Sequence, residues 1–209
     1  MCRILVTGNG TDVGKTIVSA ILAIIFQADY WKPVQCGDNT TSDYALMKQW
    51  LDPSLHVVHP PPYSLSALLS PHHAARLEGT AIDVASIVPP VTRRPLIIES
   101  VGGILVPLTP TFVALDLFQN WNCQWVVVSQ HYLGSINHTL LTIEVLKQRG
   151  LPILGLIFNG EPNPDSEAAI LAISGLPLLG RLLPEACINN QILKQYGEQW
   201  RPHFSQWIP

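Results

Sequence analysis

Val6-Thr7-Gly8-Asn9-Gly10-Thr11-Asp12-Val13-Gly14-Lys15-Thr16 lies between an apolar, β-branched run that starts at Arg3 and an apolar stretch with helical spacing from Gly14 to Gln27. A glycine-rich turn between a strand and a helix, closed by Lys-Thr, is the pattern of a phosphate-binding loop. Glycines let the backbone N–H groups turn inward toward phosphate oxygens, and the helix start adds its positive dipole end. Lys15 is placed to reach the β- and γ-phosphates of a nucleotide, and the Thr16 hydroxyl to meet a Mg²⁺ ion. The spacing is irregular. Five residues separate Gly8 from Gly14 where four are usual, and Asn9 stands at the expected first glycine. The loop predicts a nucleoside triphosphate, with ATP the expected one, and leaves the reaction open.

Outward from the loop, all-apolar runs alternate with helix-period stretches. Tyr30 to Val34, Pro95 to Glu99, Gln124 to Ser129, Ile153 to Phe158 and Leu176 to Gly180 are expected strands. Helices are expected from Tyr44 to Trp50 and from Ser135 to Gln148, the latter ended by Gly150 and Pro152. Strands apolar throughout and separated by helices predict a doubly wound α/β fold, a mostly parallel sheet flanked by helices in three layers. Residues 51–70, with Pro53 and Pro60-Pro61-Pro62, are expected to be loop-rich, and the polar tail after Pro184 carries no clear assignment. One domain over residues 1–209 is the expectation.

Composition excludes several classes. With 47% hydrophobic and 13% charged residues, a large core is available and extended disorder is not expected. A net charge of −3 argues against nucleic-acid and anionic-membrane partners, which need basic patches. The apolar run from Ile17 to Phe26 is far shorter than the ~20 residues a bilayer requires. The strand-like start leaves no room for a signal peptide, and the scattered Cys2, Cys36, Cys123 and Cys187 fit reduced thiols; both point to a cytoplasmic protein. The seven histidines show no zinc spacing.

Five segments in order carry a resemblance. They are the phosphate loop; Trp31-Lys32-Pro33-Val34-Gln35-Cys36-Gly37 with Ser42-Asp43; Ser70-Pro71-His72-His73-Ala74-Ala75 with Glu78-Gly79; Glu99-Ser100-Val101-Gly102-Gly103 leading to Val106-Pro107-Leu108; and Leu133-Gly134-Ser135-Ile136-Asn137-His138. Together they resemble the dethiobiotin synthetase family of P-loop enzymes, across residues 2 to about 184. The resemblance implies an ATP-dependent ligase of biotin synthesis that closes a ureido ring on 7,8-diaminononanoate with CO₂. A carbamate and a carbamic–phosphoric anhydride are the implied intermediates.

The resemblance also implies residue roles. Lys32 and Lys15 are the catalytic cations, and Thr16, Asp43 and Glu99 hold Mg²⁺. Asp12, Val13, Gly14, Lys15, Thr16, Ile17, Glu99, Gly102, Asn159, Leu183, Pro184 and Glu185 contact the nucleotide. Thr11, Lys32, Cys36, Ser135 and Asn137 contact the substrate, with the last two near a homodimer contact. Residue chemistry alone leaves alternatives. Lys32 is also an ordinary strand-end lysine, Asp43 a helix cap for Tyr44, Asn159 a turn residue and Ser135 a cap. Glu99 is different, because a carboxylate ending Leu96-Ile97-Ile98 is costly to bury without a partner.

Departures from the family pattern are Gly10 in place of Asp, Asp12 in place of Glu, Cys36 in place of Ser or Thr, and Ser100-Val101 in place of Gly-Ala. They bear on substrate affinity more than on reaction type. Competing readings are a related amidoligase, a partitioning-type ATPase and a non-catalytic nucleotide-binding relative. The partitioning type carries a lysine early in its loop, and no lysine precedes Lys15. A small-molecule kinase is disfavoured, since no arginine-rich lid is visible.

Overall fold

The computed structural model describes residues 2–38 and 40–208; Met1, Asn39 and Pro209 lie outside them. In chain order the elements begin with β1 (Arg3–Gly8), α1 (Lys15–Phe26), β2 (Asp29–Trp31), β3 (Val34–Cys36), α2 (Asp43–Trp50), β4 (Val58–His59), β5 (Tyr63–Leu65) and α3 (Pro71–Leu77). They continue with β6 (Leu96–Glu99), β7 (Pro107–Thr109), β8 (Phe112–Val113), α4 (Ala114–Phe118), β9 (Gln124–Gln130) and α5 (Ser135–Gln148). Last come β10 (Ile153–Asn159), α6 (Pro164–Ser174), β11 (Leu178–Leu182), α7 (Asn190–Trp200) and a 3₁₀ segment over Arg201–Trp207.

Seven strands form one parallel sheet in the order β11-β10-β9-β1-β6-β2-β4. Alternation along β1 explains why both faces must be covered. Ile4 and Val6 enter the core beneath α1, α2 and α7, while Leu5 enters the opposite core with Ile98, Trp125 and Val127. Each such side chain, fully buried, contributes about 1.5–3 kcal/mol. The strands' carboxyl ends lie along one edge, where β1 hands over to α1 and β6 ends on Glu99. No described helix is long and apolar enough to cross a membrane.

The structure shifts several expected boundaries. The strand expected from Tyr30 to Val34 stops at Trp31, because Pro33 has no N–H to donate to the sheet. Val34–Cys36 instead pairs in parallel with β5 as a separate ribbon. Residues 51–70 thus hold two short strands, one of them the sheet edge. Pro177 moves the last strand from the expected 176–180 to 178–182 for the same reason. Ser42, not Asp43, caps α2, its hydroxyl accepting from the Ala45 N–H. Gly134, not Ser135, precedes α5 as its cap.

The unassigned tail forms α7, amphipathic with Leu193, Tyr196 and Trp200 on its buried face. It covers α1 closely: a methyl group on Gly197 would sit 3.4 Å from Ile24 Cγ2. The Trp200 ring lies against the backbone of Gly180 on β11, and Phe204 meets Phe26 edge-on at 5.7 Å.

Candidate active site

A cavity of about 340 Å³ opens at the carboxyl edge of the sheet. The phosphate loop forms one side. Asp12 (φ 58) and Gly14 (φ 91) both adopt left-handed conformations, which turn the loop tightly around the buried Val13. A side chain on Gly14 would come within 2.6 Å of the Asn159 amide, so the position admits little but glycine. That amide donates from Nδ2 to the Val13 carbonyl at 3.0 Å, fastening the loop to the end of β10. Asn9, the residue in place of a glycine, fastens the other flank. Its amide donates to the Gln130 carbonyl (3.2 Å) and the Thr139 hydroxyl (3.1 Å).

Lys15 is buried and its ammonium donates to the Gly10 carbonyl at 2.7 Å. Burial pulls its pKa down to about 8; Glu99 opposes the shift and Lys32 adds to it. Where the loop passes into α1, three oxygen-bearing groups meet. The Thr16 hydroxyl lies 2.5 Å from Asp43 Oδ1 and 3.0 Å from Glu99 Oε1. The Lys32 ammonium sits between the two carboxylates, 2.5 Å from Asp43 and 2.8 Å from Glu99. Burial works against that positive charge, but Glu99 and Asp43 outweigh it and hold the ammonium above its usual range. Asp43 likewise stays ionised against its burial, because Lys32 compensates the charge. The second Glu99 oxygen accepts from the fully buried Tyr30 hydroxyl at 2.8 Å.

This oxygen set suits a hard divalent cation. Thr16, Asp43 and Glu99 come from three elements, yet both carboxylates lie within hydrogen-bonding distance of the Thr16 hydroxyl.

Of the residues expected from sequence, Thr11, Asp12, Gly14, Lys15, Thr16, Lys32, Cys36, Asp43, Glu99 and Gly102 all line this cavity. Val13 lies beneath the loop and Ile17 is half-buried on α1. Asn159 stands behind Gly14. Leu183, Pro184 and Glu185 are exposed just past β11, and Glu185 accepts from the Tyr196 hydroxyl at 2.6 Å. Ser135 and Asn137 do not line the cavity; Ser135 is buried, with its carbonyl accepting from Thr139, and Asn137 is exposed at the start of α5. Lining residues that sequence reasoning did not single out for the site include Gln35, Leu68, Leu69 and Val106. Ser70 and Pro71 also line it and, like Gln35 and Val106, enter the sequence reading only as parts of a motif.

The departures resolve locally. Gly10 has room for a side chain, its nearest neighbour being 3.5 Å from an added methyl. Ser100 turns inward to the Thr7 hydroxyl at 3.2 Å, so Val101 and not Ser100 faces the cavity. Burial pushes the Cys36 thiol up to about 11.

The protein-family model described as "AAA domain" matches residues 2–191. An ATP-dependent dethiobiotin synthetase BioD of Chlamydia felis is 44% identical over 95% of this chain and 94% of its own length. One from Paramagnetospirillum magneticum is 46% identical over 88% of this chain and 89% of its own. The chain belongs to the dethiobiotin synthetase family. Members of this family are ATP-dependent ligases built on the P-loop fold. Among solved structures, the cell division ATPase MinD of Pyrococcus furiosus superposes with a TM-score of 0.61, covering 99% of this chain and 100% of its own at 15% identity. That likeness extends to the fold.

Proposed function

We propose that this protein closes the ureido ring of dethiobiotin from 7,8-diaminononanoate, CO₂ and ATP, releasing ADP and phosphate. The observation that carries the reading is the Lys32 ammonium, held by Asp43 and Glu99, the two carboxylates that also accept from Thr16 at the end of the phosphate loop. The family's reaction needs a fixed cation for a carbamate within reach of a γ-phosphate, and the cavity offers one.

In this reading one amine adds to CO₂, loses a proton and becomes a carbamate, which Lys32 binds as an anion. A carbamate oxygen attacks the γ-phosphorus and the bond to ADP breaks. The second amine then attacks the carbamoyl carbon, and phosphate leaves with the anhydride oxygen. Lys15, released from the Gly10 carbonyl, follows the negative charge on the transferring phosphoryl group. Positioning and electrostatics supply most of such a rate enhancement. Mg²⁺, held by Thr16, Asp43 and Glu99, would neutralise the polyphosphate charge. Gly14, Gly102 and the loop N–H groups cradle the phosphates, while Asn159 and residues 183–185 flank the adenine. Ser70, Pro71 and Val106 provide a wall for the substrate chain.

A homodimer belongs to the same reading. Tyr132, Leu133 and Leu141 expose apolar surface around the start of α5, with Leu133 fully exposed. Asn137 there is exposed and lies outside its own cavity, as a group serving a neighbouring subunit's substrate would, with Ser135 buried beside it. The four free thiols suit a cytoplasmic setting. A partitioning-type ATPase shares the fold, but the missing early lysine separates it.

The test is phosphate release from Mg-ATP with and without diamine and bicarbonate, with mass spectrometry of the product. Phosphate that appears only with the diamine, and a product carrying a carbonyl in place of two N–H hydrogens, is the expected result. Phosphate released regardless of the diamine would refute the assignment.

A further inference from the structure

Gln35, on β3, lines the same cavity as Lys32 and Asp43 and is only 6% exposed. Its amide orientation follows from its neighbour. The Cys36 carbonyl takes a hydrogen bond from Gln35 Nε2 at 3.1 Å, which only the NH₂ end of the amide can supply. The same end helps to hold Asp43 ionised. Oε1 is thereby left buried, with no partner among the described residues. Folded proteins keep few such acceptors, because each forfeits the hydrogen bonds it had with water.

The missing partner is an N–H or O–H donor, and the surroundings narrow its source. Lys15 is engaged on the loop, and Lys32 on the carboxylates. Cys36, the adjacent side chain, stays a protonated thiol and is a weak donor. The polyphosphate of a nucleotide offers acceptors only. An amine bound beside Lys32 offers donors.

Resting on the diamine reading above, we propose that Gln35 is a specificity-determining residue whose Oε1 accepts a hydrogen bond from one of the two substrate amines. The terminal torsion of a glutamine is broad in energy, so a small turn presents Oε1 to the cavity. The amide thus supplies the polar contact that the Cys36 thiol supplies weakly.

The experiment compares the unaltered enzyme with Gln35→Met, which keeps the length and removes both polar atoms. The KM for the diamine is expected to rise about ten- to hundredfold, the scale of one hydrogen bond to an amine, with the KM for ATP within twofold. The melting temperature should change little, since the unpaired acceptor goes together with the donor to the Cys36 carbonyl and Asp43. Two analogues, each with hydrogen in place of one amine, locate the contact: one of them should bind both proteins equally. A diamine KM within twofold, parallel rises in both KM values, or a variant that fails to fold would each overturn the proposal and give the amide a structural role. Absence of diamine-dependent turnover in the unaltered enzyme is a separate outcome, and removes the function on which this rests.

Discussion

Replacing Lys32 with methionine keeps the unbranched apolar stem, one atom shorter, and removes its charge. In the structure the ammonium stands 2.5 Å from Asp43 and 2.8 Å from Glu99, with Glu99 only 1% exposed. Without it, two carboxylates share a buried site with no cation between them. Breaking a buried pair from one side costs about 3–5 kcal/mol, chiefly through the charge left unpaired. In a chain of 209 residues, 1 kcal/mol moves Tm by about 2–4 °C, so a fall of roughly 6–20 °C is expected. Adding Asp43→Asn removes one of the stranded charges, and the double variant should regain part of the loss. Urea unfolding of the wild type, both single variants and the pair gives the coupling directly. In the same samples, ATP should still bind to Lys32→Met while ring closure is lost. Full ring-closing activity in Lys32→Met would refute the role given to this lysine. Additive unfolding energies would refute the electrostatic account of its position.

Three further outcomes follow from geometry. Tyr30→Phe removes the hydroxyl that orients Glu99 and nothing else; urea unfolding should show a loss of about 1.5–3 kcal/mol, and the Mg²⁺ concentration needed for half-maximal activity should rise. Gly14→Ala forces a left-handed residue to carry a methyl group 2.6 Å from the Asn159 amide, so calorimetry should show ATP affinity lost ahead of diamine affinity. Arg181, paired in bidentate fashion with Glu167, holds that carboxyl down to about 2. The folded pKa lies below the usual ~4.3, so this stabilisation is complete above that pH and fades as pH falls toward 2. Its size is on the order of 3 kcal/mol at about 1.4 kcal/mol per unit. Unfolding of Glu167→Gln should therefore differ from wild type at neutral pH and converge with it near pH 2.

Much of this site is legible in the chain because its chemistry is concentrated where strands end. Glu99 stands out because it closes an apolar run, and such a carboxylate requires a partner; the structure provides three, in Thr16, Lys32 and Tyr30. Tyr30 itself is not legible, since a tyrosine in a buried strand looks like any core aromatic until the next strand sets Ile97 opposite it. Gln35 and Leu68 reach the cavity through the β3–β5 ribbon, a pairing that Pro33 makes possible and that no periodicity signals. The two boundary shifts, at Pro33 and Pro177, come from a missing N–H that outweighs the apolar run around it. α7 escaped because its apolar residues are few and widely spaced among polar ones, and their meaning depends on what lies beneath them.

What lies beneath them is the helix that follows the phosphate loop. α1 is buried along most of its length, and Ile24, Ile25 and Phe26 are covered from outside by residues 190–207. In a chain made from its amino end, the nucleotide loop and its helix leave the ribosome early, while their cover leaves after every strand of the sheet. The nascent protein therefore holds an apolar helix without its outer cover until residues 190–207 have been made. Docking of α7 therefore completes the burial of the helix that begins with Lys15 and Thr16.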